Sequence, residues 1–282
     1  MNKEGTAASF LRYIKSRFLR NNKMINGEKV LKNKVNLEWW GCTENLGDYL
    51  SNVVFEWMLQ RRNIDNISSK TLHLLGIGSI IGLGKFDAII WGSGIHAFES
   101  IENINYRKKF VKYDIRALRG PVTKLLMEKM GYDCSKARLG DPAILMPEIY
   151  FPSIESKQYE ISIISHILLE NKDYGDLHKI NIRTTDYKFF IDEILKSKKI
   201  ISSSLHGIIL AESYGVPAVF FGTGMELQYL KYYDWYFSTG RYSVKIARTL
   251  EEAVEMEPMQ LPDLCELRKG LLESFPYDLF KA

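Results

Sequence analysis

The chain has 282 residues, of which 46% are hydrophobic and 12% aromatic, and a chain of this size and composition buries a full apolar core. A disordered protein is therefore excluded. No apolar run reaches the roughly 18 residues of a membrane span, and residues 1–20 lack the continuous apolar core of a signal peptide. The three cysteines, Cys42, Cys134 and Cys265, are widely spaced, so no disulfide framework is indicated and a reducing, cytoplasmic location is predicted.

The net charge of +4 is unevenly distributed along the chain. Residues 1–35 hold nine Lys or Arg against two Glu, a net of +7. Apolar and basic residues interleave there, which predicts a basic amphipathic helix formed by Phe10, Arg12, Tyr13, Ile14, Lys15, Arg17, Phe18 and Arg20. This helix either lies on an anionic membrane surface or packs on the N-terminal lobe with a solvated basic face. No recognition motif accompanies the charge, so no nucleic-acid partner is predicted.

Strands and helices alternate through the first half of the chain. A helix begins at Gly47-Asp48, and its apolar residues recur at helical spacing as far as Met58. Apolar strands are predicted within TLHLL, DAIIW, YDIRAL and ARLG, and a helix runs from Val122 to Gly131. Alternation at this spacing is typical of a parallel sheet with crossover helices.

A polar, turn-rich stretch at residues 150–160 predicts a linker, after which the same pattern restarts. Strands are predicted in ISIISHIL, KIISSS and PAVFFG, helices in FFIDEILKSK and HGIILAESYG, and two further helical stretches in the tail from Leu250. We therefore predict an α/β fold of two Rossmann-like lobes with parallel sheets. The N-terminal lobe spans residues 1–150, and the C-terminal lobe spans residues 151–282 with the ligand site at the interface.

Polar loops follow several predicted strands, at the sheet edge where open parallel sheets bind ligands. In ISSSLHGIILA, three serines and His206 stand at a helix N-terminus, where a phosphate or carboxylate is attracted and protonated. The alternative is a serine N-cap beside a histidine buried for packing. Arg119 either grips an anion with its planar guanidinium or is a surface cation. Besides His206 and Arg119 as catalytic candidates, the predicted substrate-binding residues are Asn45, Gly47, Asp48, Gly92, Ser93, Gly94, His96, His166, Ser203, Ser204, Leu205 and Gly207.

Other polar residues leave their interpretation open. His166 lies between apolar residues of a predicted strand, which suits either a core histidine or a pocket. The loop from Gly92 to His96 is also explained as a glycine turn with a capping histidine. Asp141-Pro142 is interpreted as a strand-terminating turn. The glycines of GIGSIIGLG do not match the dinucleotide fingerprint, and no set of His, Asp, Glu or Cys has the local spacing of a metal site.

Six stretches together resemble the polysaccharide pyruvyl transferase family: ENLGDYLSNVVFEWM, IIWGSGIHAF, DIRALRGPVTKLLMEKMG, LGDPAIL, IISHIL and SSSLHGIILAESYGVPAVFF. The resemblance covers most of residues 40–225 and implies a fold like that of GT-B glycosyltransferases. It implies transfer of a carboxyethylidene group from phosphoenolpyruvate to two hydroxyls of one sugar, without a cofactor. By position, His206 matches the family's active-site histidine and Arg119 its donor-binding arginine.

The sequence departs from this resemblance at one position. Some members carry a second donor-binding arginine where this chain has Ser204, so another cation or the serine hydroxyls would bind that part of the donor. A later segment, YLKYYDWYFSTGR, is similar to an aromatic segment of relatives that build exopolysaccharide. The resemblance implies an acceptor in a bacterial exopolysaccharide or lipid-linked oligosaccharide precursor, and hence work at the inner face of the membrane.

Two rival functions stay open. The first is a GT-B glycosyltransferase that uses a nucleotide sugar, whose phosphates would also dock at a helix N-terminus. The second is a non-catalytic scaffold of a polysaccharide assembly complex. Phosphate release from phosphoenolpyruvate separates the pyruvyl transferase from both.

Overall fold

The computed structural model describes residues 23–153 and 156–281. The predicted basic amphipathic helix around Arg12 to Arg20 lies outside these residues and stays a prediction. Across the two described ranges, no helix combines the length and the apolar character needed to cross a membrane.

The first lobe is built on a five-stranded parallel sheet whose spatial order follows the chain. Its strands are β1 (Val35–Glu38), β2 (Leu72–Leu75), β3 (Ala88–Trp91), β4 (Tyr113–Leu118) and β5 (Arg138–Leu139). Its helices are α1 (Leu46–Gln60), α2 (Phe98–Arg107), α3 (Pro121–Lys129) and the short α4 (Met146–Ile149). Every residue of β1 and β3 is buried, as expected where helices cover both faces of a parallel sheet.

The second lobe contains a smaller parallel sheet. Its strands are β6 (Tyr159–Ile164), β7 (His178–Lys179), β8 (Ser197–Ser202) and β9 (Ala218–Phe220), in the spatial order β7-β6-β8-β9. The helices that follow along the chain are α5 (Tyr187–Leu195), α6 (Leu205–Ser213), α7 (Tyr229–Ser238), α8 (Leu250–Glu255) and α9 (Cys265–Ser274). The predicted α/β fold with two parallel sheets and crossover helices is confirmed, and β6 begins at Tyr159, within the stretch predicted as a linker.

Two local expectations differ from the structure. His166 lies beyond the end of β6, where its Nδ1 accepts a hydrogen bond from the amide of Leu168 and caps a short 3-10 turn. The tail does not stay with the second lobe, since Trp91 of β3 donates from Nε1 to the carbonyl of Leu271 at 3.1 Å. Helix α9 therefore covers the first sheet, although it lies within the predicted C-terminal lobe of residues 151–282.

The lobes meet along α7, which comes from the second lobe and packs on α3 of the first. Asp234 of α7 is fully buried and accepts hydrogen bonds from Arg119 Nε at 3.1 Å, the amide of Thr123 at 2.9 Å and the Thr123 hydroxyl at 2.6 Å. The amide of Leu46 donates across the junction to the carbonyl of Ile182 at 2.9 Å. One continuous apolar core extends through both lobes, so they form a single packed body.

Gly120 allows this close approach. Its backbone is extended, with φ of −163°, which any residue adopts, but a Cβ there would overlap the carbonyl oxygen of Asp234. We expect Gly120→Ala to lower the free energy of unfolding by about 1–3 kcal/mol, the usual effect of overpacking, as measured by urea denaturation.

Gly270 provides the matched control. It lies inside α9, and its Cβ would meet only the Arg138 side chain at an ordinary 3.5 Å. Gly270→Ala should be neutral or stabilise by about 0.5–1 kcal/mol, because alanine favours a helix interior. Equal effects of the two substitutions would show that the α3–α7 contact is not tightly packed.

Candidate functional site

A cavity of about 370 Å³ opens between the lobes, at the carboxyl ends of both sheets. Loops that follow β1, β2 and β3 form one side, and loops that follow β6 and β8 form the other. The structure brings together on its wall many of the residues predicted from sequence: Asn45, Asp48, His96, His166, Ser204, Leu205 and His206. The remaining wall includes Lys231 of α7 and an apolar side formed by Trp40, Ile80, Leu83 and Ile167, none of them predicted.

His206 lies in the first turn of α6 and faces the N-terminus of α1. A Cβ on Gly47 would overlap His206 Nδ1, so the imidazole packs directly on the glycine backbone. His206 Nε2 lies 3.6 Å from Asp141 Oδ2, and both of these buried atoms lack a hydrogen-bond partner. The distance is too long for a hydrogen bond, although the carboxylate oxygen and the imidazole nitrogen face each other.

Asp141 was interpreted from sequence as part of a turn, and it does form one. Its Oδ1 accepts from the amide of Ala143 at 3.0 Å, which leaves Oδ2 directed toward His206. The side chain is fully buried. Its position just after β5, at the same sheet edge as the other polar loops, was the available sequence signal.

Asp48 is the second acidic group of the site. Asn45 caps α1 by accepting from the Gly47 amide, and its Nδ2 donates to Asp48 Oδ2 at 2.8 Å. Burial raises the pKa of Asp48 from 3.8 to about 6, against the opposing effects of the charges of His206 and Lys231 and the bond from Asn45. A carboxyl group with this pKa exchanges protons near neutral pH.

His166 and Lys231 form the opposite side of the cavity. Lys231 Nζ donates to Gln228 Oε1 at 2.6 Å and lies 3.4 Å from His166 Nε2. Burial, with help from the charge of Lys231, lowers the pKa of His166 to about 3, so this ring is neutral. Burial and the charge of Arg119 lower the pKa of Lys231 to about 7, while Asp48 has the opposite effect.

Arg119 lies behind the cavity wall rather than on it. Its side chain is 1% exposed and, besides pairing with Asp234, donates to the Ser79 hydroxyl at 2.6 Å and the Ile95 carbonyl at 2.9 Å. The guanidinium contacts the cavity wall through Ser79, and direct binding of the donor by Arg119 stays a prediction. The alternative of a surface cation is wrong.

Several predicted substrate-binding residues also lie behind the wall. A Cβ on Gly92, Gly94 or Gly207 would overlap Pro142, Arg119 or Ser202, respectively, so these glycines allow close packing. The buried Ser93 hydroxyl donates to the Gly78 carbonyl at 2.8 Å, and the buried Ser203 hydroxyl accepts from the His166 amide at 2.8 Å. With Gly47, these residues position the wall, and direct substrate contact from them stays a prediction.

Comparison with known proteins gives a family match and two relatives. The family model for polysaccharide pyruvyl transferases matches residues 45–224. The chain is 31% identical over 176 residues to an uncharacterised protein of Acanthamoeba polyphaga mimivirus, which covers 58% of each chain. It is 25% identical over 210 residues to the succinoglycan biosynthesis protein ExoV of Rhizobium meliloti (strain 1021), which covers 70% of this chain and 62% of that protein. It therefore spans 58% and 62% of the lengths of these two relatives.

A solved structure shares the fold. The crystal structure of an uncharacterised protein of Klebsiella pneumoniae superposes with a TM-score of 0.52 at 16% identity, covering 88% of this chain and all of that one. The family match ends at residue 224, so Lys231 and Asp234 on α7 lie beyond it.

The raised pKa of Asp48 predicts a pH dependence of stability. Between about pH 4 and pH 6, Asp48 keeps its proton in the folded protein but loses it in the unfolded chain. The stabilisation that protonated Asp48 gives the folded protein is therefore complete below about pH 4 and is lost as the pH rises through about 6. Relative to Asp48→Asn, the free energy of unfolding of the wild type should fall by on the order of 2–3 kcal/mol over this range.

Urea denaturation at a series of pH values measures this difference. Glu44→Gln, which changes an exposed neighbouring carboxylate, is the matched control and should leave the pH profile unchanged. A constant difference between wild type and Asp48→Asn from pH 4 to pH 7 would contradict the assignment.

Proposed function

Because the chain belongs to the polysaccharide pyruvyl transferase family, we propose that it transfers a carboxyethylidene group from phosphoenolpyruvate to two hydroxyls of one sugar. The acceptor is a sugar of a bacterial exopolysaccharide or lipid-linked oligosaccharide precursor. The observation that carries this proposal is one cavity that joins a basic wall, at Lys231 and the N-terminus of α6, to the acid–base groups His206 and Asp48. Phosphoenolpyruvate needs a basic wall because it is an anion, and it needs acid–base groups because its C3 must be protonated.

The first step is addition of a sugar hydroxyl across the C2=C3 double bond of the donor's enol phosphate. The bond between the hydroxyl oxygen and C2 forms, the hydroxyl proton passes to a base, and C3 takes a proton to become a methyl group. The product of this step is a tetrahedral phosphoketal. It keeps the phosphate and carboxylate of the donor.

The second step expels phosphate and closes the ketal. The bond from C2 to the phosphate oxygen breaks, phosphate leaves with the electron pair, and C2 becomes an oxocarbenium ion. A second hydroxyl of the same sugar adds to C2, and its proton passes through the enzyme's base to solvent or phosphate. The overall products are the pyruvate ketal and inorganic phosphate.

We assign the proton to C3 to His206 and the removal of the hydroxyl proton to Asp48. Protonation of C3 requires the imidazolium form of His206, and Asp141 Oδ2 lies 3.6 Å from its Nε2. Asp48, with its pKa of about 6, is largely ionised at neutral pH and accepts a proton from the attacking hydroxyl. After the two transfers the imidazole of His206 and the carboxyl group of Asp48 are both neutral, so no unbalanced charge remains on the two groups.

The apolar side of the cavity suits the acceptor. Trp40 holds its indole by donating from Nε1 to the Thr43 hydroxyl at 3.0 Å, and Ile80 and Leu83 lie along the same wall. The flat indole of Trp40 and its apolar neighbours suit the apolar faces of a sugar ring, and polar side chains such as Asn103 suit its hydroxyl groups. The predicted membrane contact through residues 1–35 would bring the enzyme to a lipid-linked acceptor.

The direct test is incubation of the purified protein with phosphoenolpyruvate and exopolysaccharide repeat-unit oligosaccharides. Acceptor-dependent phosphate release and an oligosaccharide that gains the mass of a carboxyethylidene group would support the proposal. A glycosyltransferase would instead transfer a sugar from a nucleotide sugar and release a nucleotide. Absence of both reactions with acceptors of matching structure would favour the scaffold.

We expect His206→Ala to lower kcat by about 10²–10⁴-fold, the usual contribution of general acid–base catalysis. Phosphate release under saturating donor and acceptor measures this effect, and circular dichroism checks that the variant is folded. His178→Gln is the matched control, because His178 pairs with Glu193 in the second lobe and does not line the cavity. A His206→Ala variant that keeps more than about a tenth of the wild-type kcat would exclude the proton-transfer role.

A further inference from the structure

Lys231 is a buried lysine in the wall of the cavity. Its side chain comes from α7 and is only 7% exposed, yet among the described residues no carboxylate oxygen lies within 4.0 Å of Nζ. Its contacts are the amide oxygen of Gln228, the ring of Tyr232 at 5.2 Å and His166 Nε2. Burying an ammonium group without an anion is costly, so this position needs an explanation beyond packing.

The contact with His166 indicates where an anion would lie. His166 Nδ1 accepts from the Leu168 amide, so the neutral ring carries its proton on Nε2. Lys231 Nζ, which has no lone pair when charged, lies 3.4 Å from that Nε2. Two donors thus face each other, and an acceptor that receives a hydrogen bond from both would relieve this repulsion.

The N-terminus of α6 adds to the same wall. Ser204 is the N-cap residue, but its hydroxyl makes no capping hydrogen bond to the helix and lines the cavity with Leu205 and His206. The first amides of a helix and its dipole favour an anion at this end. His206 Nε2, in the first turn of the same helix, is buried without a hydrogen-bond partner, so this end of α6 holds an unsatisfied polar atom.

We propose that Lys231, His166 Nε2 and the N-terminus of α6 bind the phosphate group of the donor, and that Lys231 supplies the charge that holds it. This inference rests on the proposed function for the identity of the donor. It assigns a specificity-determining role to a residue outside the segment that matches the family, since that match ends at residue 224.

The chemistry favours phosphate over the donor's carboxylate at this subsite. A tetrahedral phosphate presents oxygens in several directions and accepts from lysine, imidazole and helix amides at once. A planar carboxylate is best recognised by the two parallel N–H groups of an arginine, and among the described residues no arginine lines the cavity. Lysine, a compact point charge, is an established phosphate-binding group.

Titration of the full chain with inorganic phosphate, the product of the proposed reaction, tests this assignment without requiring turnover. Isothermal titration calorimetry at constant ionic strength should show that Lys231→Met weakens phosphate binding at least about tenfold, because a charge-assisted contact is lost. Lys231→Arg should retain most of the affinity. Gln228→Leu, which removes the neutral partner of Lys231 and keeps the charge, should change affinity less than about threefold.

Three further measurements separate the assignment from its alternatives. Lys188→Met removes an exposed lysine of α5 that packs over Tyr150 and should leave phosphate binding unchanged. Pyruvate, which has a carboxylate and no phosphate, should bind wild type and Lys231→Met equally. Thermal unfolding of Lys231→Met should occur at or above the wild-type temperature, since a buried unpaired charge is removed.

The outcomes are distinct. Phosphate binding that is absent in the wild type, or equal in wild type and Lys231→Met, overturns the assignment. If Lys231→Met loses pyruvate binding but retains phosphate binding, the donor's carboxylate lies at Lys231, and the assignment is also overturned. Lys231-dependent phosphate binding without ketal formation from phosphoenolpyruvate would support the phosphate subsite and refute only the proposed function.

Discussion

The arrangement of the lobes depends on the buried ion pair between Arg119 and Asp234. Neither side chain reaches water, and each has its remaining hydrogen bonds supplied by neighbours such as Thr123 and Ser79. Removing one member of such a pair typically costs about 3–5 kcal/mol because the other charge is left buried and uncompensated. The pair therefore fixes α7 against α3. Since Lys231 is one helical turn from Asp234, the same contact sets one wall of the cavity.

Most of the fold was predictable because its signals are local. Short apolar runs followed by polar loops and helical periodicity predicted both parallel sheets, and Asn45 and Gly47 marked the start of α1 correctly. Helix α7 was not assigned, because its buried residues include Lys231 and Asp234 as well as aromatic residues, so its burial does not follow the apolar pattern of YLKYYDWYFS. The return of α9 to the first lobe depends on tertiary contacts that no local pattern encodes.

The site was predictable to the extent that it follows from sheet topology. Parallel strands bring their carboxyl ends to one edge, so the loops with Asp48, His96 and His206 were expected to converge there. Asp141 and Lys231 were missed because their importance comes from neighbours distant in sequence. Arg119 was predicted as a site residue, but its burial could not be predicted, because its buried partner Asp234 is 115 residues away in the sequence. This chain has Ser204 where some relatives have an arginine, and Lys231 lies on the same wall of the cavity.

The return of the tail to the first lobe has a consequence for the order of folding. Trp91 stands at the end of a central strand, yet its indole is covered by Phe275, with ring centroids 4.9 Å apart, and by the Leu271 carbonyl. During synthesis the first sheet emerges from the ribosome long before these residues, and this apolar surface stays open meanwhile. The first lobe therefore cannot reach its final packing as an independent unit. Its completion waits for the second lobe to be made, which favours cooperative folding of the chain over folding lobe by lobe.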